Sequence, residues 1–346
     1  MAEVNVGIVG ATGYTGSELV RLLLSHPKAN LEVVTSRSHA GKRFSQIHPQ
    51  FEGIFDEELE PTEAVHDHDL DVVFLALPHG TSMDFVAAHG LERFRVVDLS
   101  GDFRLADAAT YKKWYRSTHR APEALDEAVF GLPELFRSDI RKARLVANPG
   151  CYPTSAILAL APLIKRGLID PHTLVVDSKS GVTGAGIKPS ATTHFARVFG
   201  NFGAYGLLKH RYTPEIEQAV AMYGGEAVQV LFTPHLLPID RGILTTIYAN
   251  PTDARPVADA YQDALDATYE KERFVRVIDR PPDVKSVRGS NFCDLHATYD
   301  KRTNRVVVLS AIDNLVKGAA GQAIQNMNVM FGQLERRGLA QAPLSP

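Results

Sequence analysis

Short, almost wholly apolar runs punctuate the first half of the chain. Residues 4–9, 31–35, 70–77, 94–99 and 145–147 each read as a strand. The run 70–77 (LDVVFLAL) has the unbroken apolar content of a strand buried on both faces of a parallel sheet. Between the first two runs, residues 14–25 carry helical spacing, with Leu19, Leu22 and Leu23 on one side. Strands alternating with helices predict βαβ units, and therefore an α/β fold with a Rossmann-type, doubly wound parallel sheet over residues 1–150. The second half changes period. Residues 228–232, 242–249, 292–299 and 305–311 are strand segments with partial alternation, and 300–304 reads as a hairpin turn. Amphipathic helices are predicted near 214–223 and 256–272. This pattern predicts an α+β domain over 151–312. A final segment, 313–346, is expected to carry a helix at about 317–334 that packs back on the first domain and ends in a frayed tail.

Composition narrows the class. The chain has 346 residues, suited to two domains. Hydrophobic residues at 45% and charged residues at 22% describe a globular protein. A net charge of −3 gives no basic excess for nucleic acid. No apolar run reaches the roughly 18 residues of a membrane span, and MAEVNVGIVG enters a strand at once, so a cytoplasmic protein is expected. Two cysteines make no disulfide framework. His66, His68 and His79 lack a matching ligand set, so no metal is expected.

Three segments carry chemistry. Gly10-Ala11-Thr12-Gly13-Tyr14-Thr15-Gly16 lies between the first strand and the first helix, where glycines admit a pyrophosphate to the helix N-terminus. The second strand ends at Ser36-Arg37-Ser38 without the carboxylate that holds a ribose 2′-hydroxyl, which favours the 2′-phosphate of NADP(H). The segment Asn148-Pro149-Gly150-Cys151-Tyr152-Pro153-Thr154 follows a strand and opens an apolar helix. A cysteine there gains thiolate character from the helix dipole, and nearby N–H groups can hold an oxyanion. Cys293, in a strand-like context, reads as structural. A further loop, 178–188, offers Gly181 and Gly184 for close approach to a cofactor.

With these motifs and those at 71–80, 98–105, 130–135, 210–216 and 241–244, the chain resembles the N-acetyl-γ-glutamyl-phosphate reductases of arginine biosynthesis, relatives of aspartate-semialdehyde dehydrogenase. The resemblance covers essentially the whole chain. It implies that Cys151 attacks an acyl phosphate and that NADPH reduces the resulting thioester to a semialdehyde. His210, placed before a helix opened by Thr213 and Pro214, is the expected proton carrier, with the helix end disfavouring its imidazolium. Asn314 is the implied late cofactor contact. Arg104, Asn148, Lys179, Lys188, Arg211 and Glu215 are the substrate-binding candidates. Where the family commonly shows His-Arg-His, this chain has His210-Arg211-Tyr212. A homodimer or homotetramer acting on a small acyl phosphate is implied. The alternatives are a substrate linked to an acidic carrier protein, as in the lysine-pathway relatives, and a non-catalytic binding protein.

Overall fold

The computed structural model describes residues 3–253, 257 and 259–345. The chain divides into two compact units, Met1–Pro149 with Ala319–Ala340, and Gly150–Gly318 with Gln341–Pro346.

The first unit holds six strands, β1 (Val4–Val9), β2 (Ala29–Thr35), β3 (Val72–Leu75), β4 (Arg95–Asp98), β5 (Ala128–Phe130) and β6 (Leu145–Ala147). They form one sheet in the order β2-β1-β3-β4-β6-β5, every pair parallel. All four residues of β3 are buried, which explains its continuous apolar sequence. The chain leaves β1 toward β2 on one side and returns to β3 on the other. The turn after β1 therefore sits at a topological switch point, where open α/β sheets bind their ligands. The final helix, Gly321–Met330, belongs to this unit and is buried along its whole length. It is shorter than its sequence pattern implies, because residues Val316–Ala320 before it wind as a π-type turn.

The second unit carries β7 (Leu174–Ser180), β8 (Gly203–Ala204), β9 (Val230–Leu236), β10 (Ile243–Ala249), β11 (Val275–Val277), β12 (Cys293–Asp300) and β13 (Arg305–Ile312). The sheet order is β11-β12-β13-β10-β7-β9-β8, mixed in direction. The turn at 300–304 joins the antiparallel pair β12 and β13. The helix expected at 256–272 spans Ala260–Tyr269, and Pro256 lies outside the described residues. The tail is tied down, because Leu344 donates its N–H to the Arg288 carbonyl at 2.8 Å.

The helix Cys151–Lys165 is the core of this unit. Ile157, Leu158, Leu160 and Leu163 are fully buried, each contributing about 1.5–3 kcal/mol by leaving water. Beneath it Ser155 Oγ lies 2.9 Å from both Thr245 Oγ1 and Ser310 Oγ, and Ser178 Oγ lies 2.8 Å from Thr245 Oγ1. These buried hydroxyls satisfy one another where the helix crosses the sheet.

Pro162 sits inside this helix and brings no N–H for the Leu158 carbonyl one turn back. The Tyr269 hydroxyl supplies the missing donor, at 2.7 Å from Leu158 O. Tyr269→Phe should therefore cost about 1–2 kcal/mol of stability, measured by urea unfolding, with little change in side-chain packing. An unchanged midpoint would show that this hydroxyl does not compensate for the proline.

Candidate active site

The glycine turn is built to leave one side open. Gly10 has φ +90°, and a Cβ there would lie 2.6 Å from the Ala76 carbonyl oxygen. Gly10 and Ala11 both donate to the Thr35 carbonyl, which folds the turn back over the end of β2. Around Gly13, by contrast, the position of a Cβ has no atom within 4 Å. Gly13 is the N-cap of the helix Tyr14–Leu23, with no side-chain cap and no acidic residue in the first turn. Uncapped N–H groups, a positive helix end and open space together fit a pyrophosphate. Ser36 is buried with its hydroxyl 3.3 Å from Thr12 Oγ1, so it supports the turn. Arg37 and Ser38 are exposed at the end of β2. Among the described residues nothing pairs with the Arg37 side chain, which suits a guanidinium kept for an anion.

In the second unit Cys151 is the first residue of its helix, as the turn sequence predicts. Gly150 is the N-cap, without a side-chain cap, and its N–H donates to Glu215 Oε1 at 2.7 Å. Glu215 is 1% exposed, so this carboxylate fixes the turn that presents the cysteine. The first-turn N–H groups of Cys151 and Tyr152 have no acceptor within the helix, Pro153 has no N–H, and no acidic residue stands in that turn. Gly318 covers the other side. A Cβ on it would lie 2.6 Å from Cys151 Cβ, so only hydrogen fits. The buried Asp313 carboxylate holds that turn through the N–H groups of Leu315 and Val316, at 2.8 and 3.0 Å.

Cys151 opens into a cavity of about 320 Å³, lined also by Ser180, Arg197, Tyr205, His210, Arg211 and Tyr212. That volume suits a small-molecule ligand. The lining contains two guanidinium groups and no carboxylate. His210 is packed among the rings of Tyr152, Tyr205, Tyr212 and Phe232, with centroids 4.8–6.0 Å away. Burial, and then the Arg211 charge, push its pKa down to about 4. The direction matches the sequence expectation, but the main cause is desolvation. The helix begins at Tyr212, with Pro214 inside its first turn. Tyr212 N–H donates to His210 Nδ1 at 3.3 Å, so the neutral ring carries its proton on Nε2. The Tyr205 hydroxyl donates to Tyr152 Oη at 3.1 Å, and Tyr152 Oη donates to the His235 carbonyl at 3.0 Å. Burial raises both phenol pKa values.

The other predicted site residues are distributed unevenly. Gly181 and Gly184 line the cavity. Asn314 is 2% exposed and braces their loop, accepting from Gly242 N at 2.7 Å and donating to Thr183 Oγ1 at 2.9 Å. Lys179 does not line the cavity. Alternation along β7 turns Ser178 and Ser180 inward and Lys179 to the other face, where it pairs with Asp177 at 3.2 Å. Lys188 is exposed and also outside the lining. Arg104 and Asn148 are buried in the first unit as mutual supports. Arg104 donates to the carbonyls of Asn148 and Leu99 at 2.8 and 2.9 Å, and Asn326 donates to Asn148 Oδ1 at 3.0 Å. Cys293 is fully buried near Ser310 Oγ, as a structural cysteine should be. Sequence reading missed Arg197, Tyr205 and Gly318. The glycine in Lys317-Gly318-Ala319-Ala320, beside a helical pattern, was the one visible signal.

Gly318→Ala should leave the protein folded and displace Cys151, lowering kcat by roughly 100-fold, the scale of an ångström-sized misplacement. Circular dichroism and steady-state rates check this. A folded Gly318→Ala protein with normal kcat would show that the contact is unimportant.

Comparison with known proteins agrees with both units. Residues 5–143 match the model of the semialdehyde dehydrogenase NAD binding domain, and residues 151–314 match that of the semialdehyde dehydrogenase dimerisation domain. The chain is 51% identical to an N-acetyl-gamma-glutamyl-phosphate reductase of Pelotomaculum thermopropionicum, over 99% of each chain. It is 50% identical to one of Syntrophobacter fumaroxidans, again over 99% of each. The fold resembles aspartate semialdehyde dehydrogenase II of Vibrio cholerae, with a TM-score of 0.70 at 16% identity over 95% of this chain and 99% of that one. It also resembles the Candida albicans enzyme solved with NADP, with a TM-score of 0.69 at 15% identity over the same shares. With the reactive-cysteine geometry on one unit and the dinucleotide turn on the other, the chain belongs to the N-acetyl-γ-glutamyl-phosphate reductase family of NAD(P)-dependent semialdehyde dehydrogenases.

Proposed function

We propose that this protein reduces N-acetyl-γ-glutamyl phosphate to N-acetylglutamate semialdehyde and phosphate, using NADPH. The observation that carries the reading is Cys151 at the uncapped start of a buried helix, in a cavity with His210, two arginines and no carboxylate. In the first unit, Gly10 to Gly16 would hold the pyrophosphate of NADPH, and Arg37 and Ser38, exposed at the end of β2, would meet its 2′-phosphate. When bound it supplies the hydride that reduces the thioester.

The chain's own groups do the rest. The Cys151 thiolate adds to the acyl carbon, a C–S bond forms, the C–O bond to phosphate breaks, and phosphate leaves. Arg211 faces the cavity beside His210 and neutralises the departing anion. After reduction the tetrahedral oxyanion is met by the first-turn N–H groups and by the Nε2–H of His210. Its collapse breaks the C–S bond and returns the thiolate. This assigns His210 hydrogen-bond donation to the oxyanion in place of proton carriage, because its Nδ1 lone pair is taken and its pKa is low.

A free small-molecule substrate is favoured over a carrier-linked one. Within the basic stretch of residues 137–144, Arg137 and Arg144 are engaged internally, while Arg141 and Lys142 are exposed. Arg137 pairs with Glu335 at 2.6 Å, and Arg144 donates to the Leu91 and Glu92 carbonyls at 2.6 and 2.7 Å. A homodimer is supported by the matched dimerisation domain and by exposed Phe195, Phe199 and Leu208. Cytoplasmic action fits the biosynthetic family. Among the described residues no helix is long and apolar enough to cross a membrane.

The direct test is reverse turnover with N-acetylglutamate semialdehyde, phosphate and NADP+. It should proceed at least tenfold better in kcat/KM than with NAD+, and better than with the carrier-linked semialdehyde at any salt. No turnover, or a carrier preference that collapses with salt, would overturn the reading.

For His210 the donor role predicts that His210→Ala loses roughly 10²–10³-fold in kcat, the scale of one oxyanion donor. His210→Gln should recover at least tenfold of that loss by presenting an N–H. The folded pKa lies below the unfolded 6.5, so the unfolded chain binds the extra proton between about pH 4 and 6.5. Stability from the neutral ring is thus complete above 6.5 and falls as pH drops toward 4. The kcat profile should show no break near 6.5 from this residue. Equal loss in the Ala and Gln variants would contradict the donor role.

A further inference from the structure

Arg197 lines the Cys151 cavity from an exposed position on the short helix Phe195–Val198. Its backbone is fixed locally, with its N–H donating to the His194 carbonyl at 2.8 Å and its carbonyl accepting from Asn201 Nδ2 at 3.0 Å. Among the described residues its guanidinium has no hydrogen-bonding or ion-pair partner. A cation held at a cavity rim, uncompensated by any carboxylate in the lining, is a standing site for an anion.

The cavity's other guanidinium belongs to Arg211, and the two are not equivalent. Arg211 adjoins His210 in sequence and acts electrostatically on both His210 and Tyr205. It therefore sits with the reacting groups. Arg197 stands at the outer edge. The proposed substrate carries two anions, the phosphate on the reacting carbon and a carboxylate several bonds away. We propose that Arg197 binds the far carboxylate of the substrate and so selects acyl phosphates that carry one, an assignment that rests on the acyl-phosphate reading of this cavity. Bidentate guanidinium–carboxylate pairing suits this role, and a lysine would reproduce the charge without the paired geometry.

Two measurements on Arg197→Ala and Arg197→Lys test it. In reverse turnover, the KM for N-acetylglutamate semialdehyde should rise roughly 10- to 100-fold in Arg197→Ala and less in Arg197→Lys. The KM for phosphate and kcat should stay within about threefold. With N-acetyl-4-aminobutanal, which lacks the carboxylate, wild type and Arg197→Ala should perform alike. A raised phosphate KM, or an equal loss on both aldehydes, would overturn the assignment. The second measurement does not depend on turnover. Cys151 is labelled with N-ethylmaleimide or with 3-maleimidopropionate, whose carboxylate lies several bonds from the reacting carbon. The anionic reagent's relative rate should fall several-fold in Arg197→Ala while the N-ethylmaleimide rate holds. An unchanged ratio would overturn the anion site itself, whereas a lowered ratio without semialdehyde turnover would keep the site and discard the substrate reading.

Discussion

The N-terminus of the helix Cys151–Lys165 is the constraint on which the rest depends. A helix start leaves N–H groups without intrahelical acceptors, and here the N-cap Gly150 brings no side-chain cap and the first turn holds no acidic residue. The positive end of the helix dipole stays available to a thiolate and to an oxyanion. Burial of the helix body makes the position rigid. Glu215 takes the Gly150 N–H, and the turn braced by Asp313 closes over Cys151 through Gly318. Two buried carboxylates thus position a site whose own cavity lining has none.

That electrostatic division explains the rings around His210. Tyr152, Tyr205, Tyr212 and Phe232 exclude water and keep the imidazole neutral. In the proposed reaction a neutral ring with its proton on Nε2 would stabilise negative charge on oxygen without competing as a counterion for phosphate, and the arginines would be left to the anions. Tyr212, in place of the family's second histidine, belongs to this wall and contributes its backbone N–H to the imidazole.

Much of this was legible in the sequence. Strand β3 announced itself because it is buried on both faces, and Cys151 because Pro-Gly-Cys-Tyr-Pro joins a strand to an apolar helix. Strands β5, β8 and β11, of two or three residues, are too short to display a period. Segment 178–188 reads as one loop in the sequence, whereas β7 runs to Ser180 and alternation turns Lys179 to the face opposite Ser178 and Ser180. Arg104 and Asn148 read as substrate candidates because they are polar residues in motifs, and the buried hydrogen bonds each makes have no sequence signature. Arg197 and Tyr205 lie among the short elements between β7 and β9, where no spacing rule links a residue to a cavity.

The central claim is that Cys151 carries the acyl group. Its most direct test is to mix the protein with N-acetyl-γ-glutamyl phosphate in the absence of NADPH, quench in acid, and map peptides by mass spectrometry. The account predicts one N-acetylglutamyl group on the Cys151 peptide, removed by hydroxylamine and reduced to the semialdehyde when NADPH is added before the quench. An unmodified Cys151 in protein that still releases phosphate, or an acyl group on any other residue, would contradict it.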